Sequence, residues 1–124
     1  MANNQGLYYY TKEEIDELLV PATVTASDYV SFTVGRVSNL QAYKFGRFLY
    51  ISFDLTNVNT INGEKTIGSC TNKVAMASYG AGRAASSGDA IPATFIFIPS
   101  GAIRVHTTAS RLNCAGSAIL MLNA

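Results

Sequence analysis

Residues Arg47 to Val58 read RFLYISFDLTNV, with Phe48, Tyr50 and Ser52 alternating with Leu49, Ile51, Phe53 and Leu55. A repeat of two places successive side chains on opposite faces of a strand. Both faces of this strand are apolar over its first half. Such a strand belongs at the centre of a sheet, covered on both sides.

The rest of the chain supplies partners for it. Ala22 to Ser27 is rich in Val and Thr, Tyr29, Phe32 and Val34 mark a second strand, and Leu40 to Phe45 a third. Asn62-Gly63 is a hairpin-turn signal, and Thr66 to Thr71 and Lys73 to Ser78 read as short strands on its far side. Tyr79 to Asp89, dense in Gly, Ser and Ala, reads as the longest loop. Ile91 to Ile98 is a second two-faced apolar strand, and Pro99-Ser100-Gly101 turns it into Ala102 to Thr108. Ser117 to Leu122 is the last strand. About seven to nine short strands, with turns every eight to twelve residues, predict an antiparallel β-sandwich or barrel. We expect a mainly β, jelly-roll-like sandwich over residues 22–124.

Residues 1–21 follow a different rule. Thr11 is a good N-cap, Glu14 completes a capping box, and Tyr10 and Ile15 form a hydrophobic staple. Ile15, Leu18 and Leu19 share one helical face, and Pro21 ends the helix. A helix this short is marginal alone in water. Its apolar stripe must therefore pack, either on copies of itself or on its own β domain.

Charged residues are 14% of the chain, against about 25% in soluble domains. A surface so poor in charge points to an oligomer, whose interface resembles a domain core; a covering of Ser, Thr, Asn and Gly is the alternative. Net charge is +1 and the basic residues are scattered, which argues against nucleic acid as a partner. No apolar run approaches the roughly 20 residues of a membrane span, and the N-terminus lacks signal-peptide features. The expectation is a protein made in a cytoplasm. Cys70 and Cys114 have no metal-ligand spacing and read as buried, reduced thiols.

No catalytic constellation is present. His106 is the one histidine, on a strand in phase with Arg104, and reads as a surface residue. No GxSxG elbow occurs, and Asp28, Asp54, Glu64 and Asp89 form no evident pair for glycoside hydrolysis. Gly80-Ala81-Gly82-Arg83-Ala84-Ala85 fits GxGxxG/A in letters, but no helix can follow it before Pro92. Gly63-Glu64-Lys65-Thr66 is half a phosphate loop without its first glycine. We expect no enzyme activity, no cofactor and no metal.

Tyr9-Tyr10-Thr11-Lys12-Glu13-Glu14-Ile15-Asp16-Glu17-Leu18-Leu19 resembles a segment of tailed-phage fibre and baseplate proteins, where it forms a short helix leading into the next module. Phe45 to Phe53 and the stretch Phe97 to Val105 more loosely resemble the tip domains of phage receptor-binding proteins. The resemblance implies a β-sandwich tip that assembles as a homotrimer and is located in the virion tail; the helical stripe Ile15, Leu18 and Leu19 is the expected oligomer contact. Its implied partners are a host cell-surface glycan or protein and other tail or baseplate proteins. A structural spacer without a receptor site is the alternative; a hydrolytic spike is disfavoured by the missing carboxylate pair.

For a receptor site the expected loop offers Tyr79, Arg83 and Asp89. An aromatic face, a fork of donors and a carboxylate are the groups that read sugars. Asn57, Asn59 and Asn62 are the competing candidates.

Overall fold

The computed structural model describes residues 11–12, 22–58 and 61–123, with the backbone alone at 61 and 62. The helix expected after Thr11, with Ile15, Leu18 and Leu19, lies outside the described residues. Nine strands are described: β1 (Ala22–Thr23), β2 (Val30–Phe32), β3 (Arg36–Phe45), β4 (Phe48–Thr56), β5 (Ile61–Cys70), β6 (Ser78–Ser86), β7 (Asp89–Phe97), β8 (Ala102–Arg111) and β9 (Asn113–Met121). A 3-10 turn at Ala26–Asp28 joins the first two. All pairings are antiparallel, in one sheet of order β1-β3-β4-β9-β6-β7-β8-β5-β2.

Chain length alone forces this sheet to curl. Its two edges, β1 and β2, are joined by residues 24–29. That link reaches at most about 25 Å, whereas nine flat strands span roughly 38 Å. The edges must therefore approach each other around a common interior. Phe53 of β4 shows the result: its ring lies 4.8 Å from Phe32 of β2, six places away in the sheet. It also meets Phe95 edge-on at 4.9 Å and Phe97 at 6.1 Å, both on β7. Leu49, Ile51 and Leu55 of β4, Ile67 of β5, Ile103 and Val105 of β8 and Leu120 of β9 fill the same core.

The mainly β, antiparallel expectation holds, and β4 lies inside the sheet, but it is covered on one side only: Leu49, Ile51, Phe53 and Leu55 are buried, while Phe48 and Tyr50 on the other face are exposed. Other local readings are corrected. Asn62-Gly63 makes no hairpin: β5 pairs with β8 and β2, not with β4. Gly63, at φ 73°, sits instead at a register shift against β8. Lys73 to Ser78 is not a strand; only an isolated bridge, Val74 to Leu122, forms there. Tyr79 to Asp89 is no loop. It is β6 followed by a two-residue turn, Ser87 (φ 50°) and Gly88 (φ 82°), into β7. Two successive residues at positive φ make the tight turn that matches strand twist.

The glycines that imitate a dinucleotide motif serve strand packing. A Cβ on Gly80 would stand 2.6 Å from the Ser117 carbonyl oxygen, and one on Gly82 would overlap the Ala115 carbonyl. A Cβ on Gly116 would stand 2.5 Å from the Phe95 ring. Glycine is the only residue that lets β6, β9 and β7 close to this spacing.

Both cysteines are buried and free, on β5 and β9, with three strands between them in the sheet. Burial pushes the Cys70 thiol from 9.0 up to about 11, a backbone hydrogen bond at Ile98 offsetting part of the rise. Burial and then the charge of Asp54 push Cys114 up to about 12. Unfolded thiols ionise near 9.0 while the folded ones keep their protons. Their contribution to stability is thus complete below pH 9 and is lost as pH rises through the folded values. The melting temperature of the wild type is expected to fall more steeply between about pH 9 and 12 than that of Cys70→Ala/Cys114→Ala; parallel curves would mean that the thiols are not held neutral. Phe53→Ala is expected to cost about 3–5 kcal/mol in denaturant unfolding, and a loss under 1 kcal/mol would contradict its place at the centre of the curl.

Candidate functional site

With one face of each strand from β2 to β9 turned to the core, the outward side chains follow from register alone. Across β7, β8 and β5 the pairs Thr94–His106 and His106–Glu64 form one outward row, and Ile96–Arg104 and Arg104–Thr66 the next. Tyr79 of β6 pairs with Ile96 and extends the second row. The rows enclose a cleft of about 240 Å³ lined by Glu64, Tyr79, Thr94, Ile96, Arg104 and His106, with Phe95 and Val105 completing the lining.

The cleft mixes one large apolar face with polar groups of both signs. Tyr79 is 75% exposed, far more than a packed aromatic allows. The Arg104 Nη1 lies 3.7 Å from the Glu64 Oε1, with side chains 43% and 60% exposed. An ion pair so open to water is worth about 0–1 kcal/mol. Both groups can therefore exchange each other for the hydroxyls of a ligand at little cost. A volume of about 240 Å³ is below the roughly 300–1,000 Å³ of pockets for drug-sized ligands. It suits a single ring, partly open to solvent.

The three residues expected to form a receptor site do not converge. Tyr79 lines the cleft. Arg83 is on the same face of β6, four residues and roughly 13 Å away, beside a smaller hollow of about 170 Å³ with Asp54, Asn113 and Ala115. Asp89 is at the far tip of the hairpin, where it holds Arg111 through a 2.6 Å contact from the guanidinium Nη2. The separation follows from the correction above: a loop would have gathered these residues, and a strand spreads them along its length. Asn57 is exposed, outside the cleft, and its backbone N–H donates to the Asn113 Oδ1 at 3.1 Å. Asn59 and the Asn62 side chain lie outside the described residues.

Glu64, Thr94, Ile96, Arg104 and His106 were missing from the sequence reading of the site. His106 is an exposed strand residue as expected, and it lines the cleft. The available signal was outward alternation on two strands, Arg104 and His106 on one and Thr94 and Ile96 on the other. Only the β8–β5 pairing brings Glu64 to them. Among the described residues no group of three or more His, Cys, Asp or Glu side chains is placed to hold a metal ion, and no helix is long and apolar enough to cross a membrane.

Comparison with protein-family models and with curated proteins finds no match to the chain. The site is therefore read from its own chemistry. Glu64→Gln is expected to change unfolding free energy by less than about 1 kcal/mol. A larger loss in denaturant titration would mean that Glu64 braces the sheet and is not available to a ligand.

Proposed function

We propose that the chain is a non-enzymatic tip protein of a tailed-phage fibre or baseplate, which binds a host cell-surface glycan as a homotrimer. The observation that carries the reading is the cleft, where the exposed Tyr79 ring stands beside the loosely paired Arg104 and Glu64. A sugar ring presents an apolar face that stacks on an aromatic, and hydroxyls that pair with planar charged groups. Arg104 and Glu64 balance each other's charge, so a neutral, hydroxyl-rich sugar is favoured over an acidic one.

One such site is weak, and three on one tip gain strength by avidity. The low charge content supports an assembled state. In this reading the curled sheet is the sandwich-like, jelly-roll-like tip domain, and residues 1–21, with Ile15, Leu18 and Leu19, form the helical stem where copies meet. Tail or baseplate proteins are the partners on the virion side, and the virion tail is the location. The second reading, a structural spacer without a receptor, draws on Phe48, Tyr50 and Ile119, exposed side chains that a packing module would also carry.

Light scattering on the purified chain is expected to give a trimer at micromolar concentration, and a monomer would contradict the assembled state. On a glycan array the wild type is expected to retain a neutral glycan. Arg104→Ala, still trimeric, should bind it roughly tenfold or more weakly, the weight of a hydrogen bond to a charged group. Undiminished binding by that variant would remove the cleft from the receptor site, and no binding by the wild type would favour the spacer.

A further inference from the structure

The opposite flank of the outer face, across β4, β9 and β6, has a different character. Register places Tyr43, Tyr50 and Ile119 in one outward row, and Tyr79 follows two residues beyond the paired Ala81 and Ser117. Ile119 is 54% exposed, and Tyr50 and Tyr79 are exposed as well. Phe45, Phe48 and Met121 form the row beside it. The row on the other side is small: Ser52, Ser117 and Ala81. Then come Asp54, Ala115 and Arg83. Among the described residues neither the Asp54 carboxylate nor the Arg83 guanidinium has an ion-pair partner. They sit on the two strands flanking β9, roughly 10 Å apart.

We infer that this face is where copies of the chain meet around a three-fold axis parallel to β9, with Asp54 of one subunit against Arg83 of the next. The inference rests on the trimeric reading above and names its surface. Four observations fix the occupant as a second copy. The face carries large exposed apolar side chains, Phe48, Tyr50 and Ile119, and such clusters mark contact surfaces. Its two unpaired charges have opposite sign and the same height along the strands, so the β4 flank of one copy complements the β6 flank of another. The same juxtaposition sets Ser52 against Ala81, small facing small, and leaves Tyr79 at the edge of the contact. Finally, the two flanks stand on either side of an open hollow of about 350 Å³ along β9, lined by Ser52, Asp54, Ala81, Arg83, Ala115 and Ser117. Neighbours meet on the flanks, while the centre line, β9 with Ala115, Ser117 and Ile119, turns to the axis.

Such head-to-tail contacts close into a ring when the rotation is three-fold. Each boundary then runs beside Tyr79, so the sugar cleft lies at the edge of the contact. The apolar rows supply the burial, and the Asp54–Arg83 pair sets direction and height.

Charge reversal tests the pairing, read by light scattering at micromolar concentration with circular dichroism to confirm the fold. Asp54→Arg and Arg83→Asp are each expected to lower the measured mass threefold, and Asp54→Arg/Arg83→Asp to restore it. Ile119→Glu, which gathers three carboxylates at the axis, is expected to give monomers too and covers the case in which a reversal fails to fold. A wild-type trimer that survives both reversals, or single variants that the double reversal does not rescue, would overturn the interface while leaving the trimer. A monomeric wild type would overturn both.

Discussion

Everything in this chain hangs on Phe53. Its ring touches β2 and β7, strands that stand six and three places from its own in the sheet. Those contacts exist only because the short link between the edge strands bends the sheet around a single interior. The bend decides in turn which side chains face water. Leu49, Ile51 and Leu55 go inward with Phe53, and Phe48, Tyr50, Ser52 and Asp54 are left outside. An aromatic cluster at the point of closure, tilted toward Phe32 and edge-on to Phe95 and Phe97, supplies both apolar burial and directional packing.

The outer face divides by composition. On β5, β7 and β8 the rows carry Glu64, Thr94, Arg104 and His106, polar groups around the rim of one cleft. On β4 and β9 the rows carry Tyr50, Phe48, Ile119 and Met121. Tyr79 on β6 stands between the two regions. A sheet gives such precision cheaply, because register alone places four strands' side chains within reach of one ring. No moving loop is required, and the glycines of β6 and β9 serve the approach of neighbouring strands rather than a ligand.

Much of the fold was legible because period two is a local signal. The outward and inward faces of β4, β7 and β8 follow from Phe48 to Leu55, Ile91 to Ile98 and Ala102 to Thr108 without reference to any partner. What local pattern could not supply was pairing. Asn62-Gly63 has the letters of a hairpin, but β5 finds its partners in β8 and β2, far along the chain. Gly80 to Ser87 has the composition of a loop because its inward positions are glycine and alanine, which the crowding of β6 against β9 demands. That misreading grouped Tyr79, Arg83 and Asp89, which the strand spreads along its length, and Glu64 could be joined to Arg104 only through the β8–β5 register.

The central claim is that the Tyr79 cleft is a sugar site built on rigid strands. The most direct test is an NMR titration of the wild-type chain with oligosaccharides released from a host cell surface. The account predicts shifts confined to Glu64, Tyr79, Thr94, Ile96, Arg104 and His106, saturating with one sugar per subunit. Shifts that gather instead around Arg83, Asp89 and the hairpin tip, or a spectrum that does not change, would contradict it.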